Sequence, residues 1–296
     1  MFANLSNHST GEEPTVRETS NPVFRSLPKT QGGYAQFGTG AAGYGAQAVH
    51  ADPYAGAYPE QRQTGVSRPL TIDDVVTKTG ITLAVLAAVS VASYFLAAQN
   101  LALAMPLMLV GLFGGMVLLL VAIFARKQDN PAIVLAYAAL EGLVLGSISF
   151  IIANFEVQGI SAGALISQAV VGTFGVFFGM LVVYKTGAIR VTPKFTRWIV
   201  AALFGAVALM LVNLVVGLFT HSAGPLRDGG PMAILFSLVM IGIAAFSFLI
   251  DFDQADQAIR AGAPEKAAWG IALGLTVTLV WLYLEILRLL SYFNSD

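Results

Sequence analysis

The residues of this chain that could do chemistry in an apolar environment are a few carboxylates. Glu141 and Glu285 lie within long apolar runs, and Asp251 lies at the end of another. A charged side chain in the middle of a bilayer is costly, so its presence indicates a function with a compensating partner. Carboxylate oxygens bind protons and hard cations such as calcium. These acids therefore suggest an ion pathway or gate.

The sequence argues against most other kinds of site. It contains no cysteine, which excludes disulfides and thiolate chemistry. Only 11% of the residues are charged, and no basic face suggests nucleic-acid binding. The three histidines lie outside the apolar runs, at His8, His50 and His221. We therefore expect no enzymatic activity, no catalytic residues, and no cofactor other than calcium as a transported or sensed ion.

Seven apolar runs must position the acids. The chain is 56% hydrophobic, and its charged fraction is far below the roughly 25% of a soluble domain. Each run has about 20 residues, enough to cross a hydrocarbon core of about 30 Å as a helix. The sequence thus predicts an all-α membrane protein, a seven-transmembrane helical bundle. The predicted spans are Ile81–Ala98, Leu103–Ala125, Pro131–Ala153, Ala162–Tyr184, Trp198–Phe219, Pro231–Ile250 and Ala268–Phe293.

The first 70 residues have a different composition. They are rich in Gly, Ala, Pro, Ser and Tyr and lack the basic start and apolar core of a cleavable signal. Such a segment cannot bury enough apolar surface to offset its ordering entropy. We predict a disordered cytoplasmic tail over 1–70 and a transmembrane domain over 71–296. The tail either binds a protein partner or is a solvated segment without a fixed role.

The basic residues predict the orientation. Eleven of them flank the ends of the runs on the N-terminal side of the membrane, whereas the opposite loops hold Arg227 alone. Short cytoplasmic loops retain Lys and Arg. The N-terminus is therefore predicted to be cytoplasmic and, after seven crossings, the C-terminus to be outside. The eleven residues are Arg62, Arg68, Lys78, Arg126, Lys127, Lys185, Arg190, Lys194, Arg197, Arg260 and Lys266.

Small residues at GxxxG spacing predict close helix packing. Without a hydrophobic drive between helices in lipid, small residues let backbones approach each other. We expect these pairs to pack helices within the chain, with dimerisation as the alternative. The pairs are Gly111/Gly115, Gly142/Gly146, Gly175/Gly179 and Gly270/Gly274.

Two of the acids have alternative interpretations. Arg288 follows Glu285 by three residues on the same helix face, so the two could simply neutralise each other. Glu141 has no such neighbour, and its alternative is a hydrogen-bonded, uncharged carboxyl. Because Glu141 and Glu285 reach similar depths, a contact between them is also possible.

The third group of acids closes the sixth run. Asp251, Asp253 and Asp256 offer oxygen ligands that suit calcium, with Asp251 and Asp253 as the candidate site. The spacing is not that of a calcium-binding loop, and the alternative is a solvated acidic helix end. Arg126 ends the second run on the same side of the membrane. A salt bridge between Asp251 and Arg126 could hold a pore closed until the acid is protonated or binds a cation.

Three segments resemble the Bax inhibitor-1/YccA family, in particular its bacterial branch. They are NPAIVLAYAALEGLVLGSIS at 130–149, LIDFDQ at 249–254 and LYLEILRLLSYF at 282–293, and the resemblance covers 71–296. It implies a bacterial cell (inner) membrane protein whose seventh helix is surrounded by the other six. It also implies a pH-sensitive calcium leak gated by acids on helices six and seven, here Asp251 and Glu285.

The sequence departs from this family pattern at the second acid. That acid is a Glu where the family has an Asp, and it follows Asp251 by 34 residues. In a helical hairpin centred on Ala263, Asp251 lies opposite residue 275, and the remaining ten residues to Glu285 correspond to about 15 Å of helix.

The sequence leaves two functions open. One is a pH-sensitive cation leak, and the other is a membrane regulator that binds a protease or stress-response partner without transporting ions.

Overall fold

A computed structural model describes residues 68–156 and 160–294, and this part of the chain forms seven long α-helices. All seven are long and apolar enough to span a membrane, which confirms the predicted all-α architecture. The predicted tail lies outside the described residues except for its last three. The helices are α1 (Ile72–Gln99), α2 (Ala104–Phe124), α3 (Pro131–Ile151), α4 (Ala162–Thr186), α5 (Pro193–Thr220), α6 (Pro231–Arg260) and α7 (Ala267–Phe293).

Local signals set where the helices begin. The Thr71 side chain accepts from the Asp74 amide, and the Asp74 side chain accepts from the Thr71 amide, which forms a capping box at the start of α1. Proline occupies the first turn of α3, α5 and α6, where a missing N–H costs nothing. Because the capping box precedes the apolar run, α1 begins nine residues before the predicted span.

Helix α7 occupies the centre of the bundle. Of its most apolar stretch 61% is buried, compared with 11% for α4 and 17% for α5. Its closest packing partners are α1, α3, α4 and α6. Leu273 shares an apolar cluster with Ala122 of α2, and Trp281 packs against a cluster containing Ala206 of α5. This arrangement agrees with the surrounded seventh helix that the family resemblance implies.

Glycines bring α3 into close contact with α1 and α2. A Cβ on Gly142 would lie 2.7 Å from the Leu86 carbonyl oxygen, and one on Gly146 would collide with the Ser90 carbonyl oxygen. A Cβ on Gly111 would lie 2.5 Å from the carbonyl oxygen of Leu140. These spacings therefore pack helices within one chain.

The same expectation was wrong for the pair on α4. A Cβ on Gly175 or Gly179 would meet no atom within 4 Å. In the last pair, Gly270 approaches the α2–α3 loop, where its Cβ would lie 3.3 Å from Asp129 Oδ1, while Gly274 faces open space. The GxxxG spacing alone does not identify a packing seam, because the motif is common in spans.

The segment just before α1 is attached to the α6–α7 loop. The Leu70 amide donates to the Ala263 carbonyl over 2.8 Å, and the Glu265 amide donates to the Arg68 carbonyl over 2.9 Å. Lys78 of α1 forms a 2.9 Å salt bridge with Glu265. Arg68 also donates a hydrogen bond to Asp74, which raises the pKa of its exposed guanidinium above the usual value. These contacts hold the α6–α7 hairpin against the start of α1.

Candidate functional site

The three predicted membrane acids lie in three different surroundings. Glu285 is buried on α7, with a side chain only 2% exposed. Asp251 is half-buried on α6, and Glu141 is half-buried midway along α3. Each has partners of its own, so the structure does not gather them into one acidic centre.

Glu285 is held by two arginines. Arg227 donates from Nη2 to Oε1 over 2.9 Å and from Nη1 to Oε2 over 3.2 Å, which is the two-pronged geometry that arginine forms with a carboxylate. Arg288 donates from Nη1 to Oε1 over 3.1 Å, as its position three residues later predicts. The Arg227 guanidinium also lies 5.4 Å from the centre of the Phe236 ring. Glu285 is therefore a neutralised group.

The α5–α6 loop brings Arg227 to this position. Asn213 of α5 donates to the Ala223 carbonyl and accepts from the Leu226 amide, each over 2.9 Å. Between these contacts Gly224 has φ +79°, and a Cβ there would lie 2.5 Å from Asn213 Oδ1. Only glycine fits this turn. A side chain in the membrane span thus fixes the loop that presents the arginine.

The sequence interpretation found Arg288 but missed Arg227 as the main partner of Glu285. Arg227 and Glu285 are 58 residues apart, so no helical periodicity connects them. The available signal was that Arg227 is the sole basic residue in the loops on its side of the membrane. A buried acid needs a counter-charge, and this isolated arginine was the available candidate.

Asp251 lies within a continuous helix and not at its end. Helix α6 runs nine residues further, to Arg260, so the helix continues past the apolar run that Asp251 closes. Thr278 of α7 donates from Oγ1 to Asp251 Oδ2 over 2.7 Å. The hairpin estimate placed residue 275 opposite Asp251, one turn from the observed partner. Glu285 lies seven residues beyond Thr278, about 10 Å further along α7, so the acid pair implied by the resemblance is not formed.

The candidate calcium pair, Asp251 and Asp253, does not converge. Two residues apart in a helix correspond to about 200° of rotation, so the two carboxylates point to different faces. Asp253 accepts from Gln257 over 2.6 Å and, with Asp256, from the Tyr184 hydroxyl over 3.4 and 3.3 Å. Across residues 68–156 and 160–294, no three His, Cys, Asp or Glu side chains are placed to hold a metal ion.

Arg126, the predicted salt-bridge partner of Asp251, forms no salt bridge with it. Arg126 is exposed and follows the end of α2 in the left-handed backbone region, with φ 52°. The salt bridges of the described part of the chain include none to Asp251. The hydroxyl of Thr278 takes the place expected for Arg126, because the close partner of α6 at this depth is α7.

Glu141 faces α2 and not Glu285. The Tyr137 hydroxyl, one turn earlier on α3, lies near its carboxylate. A Cβ on Gly115 of α2 would lie 3.1 Å from Glu141 Oε1, so the glycine makes room for the carboxylate. The contact with Glu285 expected from depth alone is therefore not formed, and Gly115 has a role other than backbone packing.

One sequence motif that the interpretation overlooked has a structural explanation. Residues 159–163 read Gly-Ile-Ser-Ala-Gly, the spacing found around some nucleophilic serines. Ser161 is the N-cap of α4, and its hydroxyl accepts from the Ala164 amide over 3.3 Å. A nucleophile elbow requires a strand before the serine, whereas the described residues before Ser161 are a helical segment that ends at 156 and a bend at Ile160. Here the serine caps a helix.

Comparison with known proteins identifies the family of this chain. The sequence matches the family described as Bax inhibitor 1 like over residues 21–295. The match begins 50 residues before the resemblance noted in the sequence, so it includes most of the predicted tail. A search of curated proteins found no match. The match covers nearly the whole chain and agrees with seven spans around a central seventh helix, so the chain belongs to the Bax inhibitor 1 like family.

Proposed function

We propose that this integral membrane protein is a pH-sensitive leak pathway for cations, calcium in particular, and that Asp251 is its gate. One observation carries the proposal. Asp251 is a carboxylate within a spanning helix, its partner is the neutral Thr278 hydroxyl, and no ion pair reaches it in the described part of the chain. An acid kept at such a depth without a counter-charge is available to protons and cations.

The hydrogen bond between Asp251 and Thr278 joins α6 to the central helix. A cation or proton that arrives at the carboxylate competes with the threonine hydroxyl for the same oxygens. Loss of that bond releases α6 from α7 at this depth and opens a path between them. Glu285 has the opposite role, because two arginines neutralise it and it anchors the end of α7.

Glu141 is the second acid on the proposed path. It lies ten residues from either end of α3, near the neutral hydroxyl of Tyr137. Asp253 lies nearer the end of α6 beside Tyr184, where it would attract cations to the entrance. We propose a bacterial cell membrane as the location of the pathway, from the family resemblance, with the N-terminus cytoplasmic, from the distribution of the basic residues.

Two substitutions should change flux in opposite directions. Asp251→Asn retains a hydrogen-bond acceptor for Thr278 but removes the charge, so we expect calcium flux to fall by about tenfold and to lose its pH dependence. A tenfold fall corresponds to the loss of about 1.4 kcal/mol of cation binding at the carboxylate. Thr278→Val removes the bond and keeps the carboxylate, so flux should rise and depend less on pH than in wild type. The measurement is calcium entry into vesicles containing purified protein and an internal dye, at several pH values.

The matched control is Asp73→Asn, which removes an exposed carboxylate from the first turn of α1. It should leave flux unchanged. Equal flux for wild type and Asp251→Asn at every pH, or no flux above protein-free vesicles for wild type, would exclude a gate at this residue.

The second candidate is a membrane regulator that binds a protease or stress-response partner through the tail. The observation in its favour is the attachment of residues 68–70 to the α6–α7 loop, because a partner that binds the preceding residues would act directly on that loop. Pull-down with the full chain and with a variant lacking residues 1–60 tests this role. Capture that requires the tail, together with absent flux, would favour the regulator; neither role involves catalysis.

A further inference from the structure

A cavity of about 390 Å³ lies beside the central helix, between α1 and α4. Leu86 of α1 and Ile166 of α4 line its two walls, and Leu145 of α3 and Val280 of α7 lie at its base. We call it the α1/α4 cavity. Its size is that of a ligand site, which usually measures about 300–1,000 Å³. It is distinct from the contacts of Asp251 and Glu285.

Most of the lining of the α1/α4 cavity is hydrocarbon, and its hydroxyls belong to Ser90, Tyr94, Ser149, Thr173 and Tyr283. Its deepest hydroxyls are bonded within the protein: Ser149 and Tyr283 share a 2.8 Å hydrogen bond, and Thr173 donates to the Ala169 carbonyl over 2.8 Å. A water molecule in a protein interior requires two to four polar partners. Because these hydroxyls already have partners, the cavity suits an apolar occupant better than water or an ion.

The α1/α4 cavity opens toward the lipid-facing surface. At its rim, Val91 and Phe95 of α1 are 56% and 58% exposed, and Val170 and Phe174 of α4 are each 39% exposed. Val91 lies eight residues before the end of α1, and Val170 lies eight residues after the start of α4. Eight residues correspond to about 12 Å of helix. The opening is therefore at a depth where the surrounding medium is the acyl chains of the bilayer.

We infer that the α1/α4 cavity binds one acyl chain of a membrane lipid. The chain enters between α1 and α4 and packs against α7 at Leu279, Val280 and Tyr283. That stretch of α7 lies between Thr278, which holds Asp251, and Glu285, which is held by two arginines. A bound chain thus supports the central helix between its two polar contacts. The inference does not depend on ion transport.

The test measures lipid retained by the full chain. Protein is reconstituted in vesicles of phosphatidylethanolamine and phosphatidylglycerol containing a phosphatidylglycerol with a photoreactive diazirine in one acyl chain. After extraction and extensive washing in detergent, retained probe is quantified, and irradiation followed by peptide mass spectrometry locates it. Wild type should retain the probe in stoichiometric amount, with adducts on residues that line the cavity.

Two substitutions fill the cavity from opposite walls. Gly163→Phe adds a side chain where a Cβ would meet nothing within 4 Å, and Ala87→Phe does so from an exposed position on α1. Each should lower the affinity for the probe about tenfold, which corresponds to about 1.4 kcal/mol of binding free energy. The matched control is Gly175→Phe, also on α4 and also facing open space, but outside the cavity lining. It should retain the probe as wild type does.

Helix content from circular dichroism and monodispersity on a sizing column show whether each variant folds. If one cavity-filling variant fails to fold, the other carries the test. Three results would overturn the inference: wild type that retains no probe, adducts confined to other surfaces, or equal retention by Gly163→Phe and wild type. Crosslinks between two chains at the cavity would instead identify a second copy as its occupant and also overturn it.

Discussion

Replacing Arg227 by alanine is expected to lower the free energy of unfolding by about 3–5 kcal/mol, because it removes the two-pronged partner of a buried carboxylate and leaves that charge with Arg288 alone. Arg227 supplies two of the three arginine hydrogen bonds to Glu285, and Arg288 alone reaches just one of the two carboxylate oxygens. Equilibrium unfolding of the full chain in detergent micelles, followed by circular dichroism, measures the change.

A double substitution separates the charge effect from loss of side-chain volume. Arg227→Met with Glu285→Gln removes both members of this pair, keeps similar shapes and leaves an amide oxygen to accept from Arg288, so it should cost less than Arg227→Ala alone. Arg190→Ala is the matched control, since it removes an exposed arginine from the α4–α5 loop. A change for Arg227→Ala as small as that of the control, within about 0.5 kcal/mol, would contradict a structural role for the ion pair.

The second large loss of stability is expected from a substitution at the contact between α1 and α3. Gly146→Ala places a Cβ against the Ser90 carbonyl oxygen and 2.7 Å from the Ser93 Cβ, so the two helices must separate. Overpacking of this kind costs about 1–3 kcal/mol. Separation would also strain the 3.0 Å hydrogen bond between Ser93 and Ser147. Thermal unfolding of the purified protein in one detergent should show a lower midpoint.

Gly175→Ala is the control for this prediction. It makes the same chemical change within a spanning helix, but its Cβ meets nothing within 4 Å. We expect no loss of stability, and a gain of up to about 1 kcal/mol is consistent with the higher helix propensity of alanine. Equal midpoints for Gly146→Ala and Gly175→Ala would show that the close approach of α1 and α3 does not limit stability.

Local sequence predicted the elements well and their ends less well. Apolar length alone identified the seven spans, because lipid requires each crossing to satisfy its own backbone hydrogen bonds. Helix α1 begins earlier than its apolar run because a capping box at Thr71 starts it. Helix α6 continues to Arg260 because helix-forming residues follow the apolar run, and an i,i+4 salt bridge from Asp256 to Arg260 supports its last turn.

The surroundings of the acids were predicted less well. Arg288 could be assigned to Glu285 because both lie on one helix, three residues apart. Asp251 was expected near residue 275, but its side chain bonds Thr278 on the central helix. The candidate salt bridge to Arg126 failed because sharing a side of the membrane does not bring two residues together.

By itself, the sequence determined that residues 68–156 and 160–294 contain seven helices long and apolar enough to cross a membrane, and that acids lie within or directly after these apolar runs. Those properties depend on composition and on spacing within about 20 residues, which one helix can express alone. Only the tertiary structure decided which acid is neutralised. Glu285 forms an ion pair with Arg227, which lies 58 residues away in the sequence. Asp251 instead accepts a hydrogen bond from the hydroxyl of Thr278, 27 residues away. Such pairings depend on how loops and neighbouring helices approach α7, and no local pattern encodes that approach.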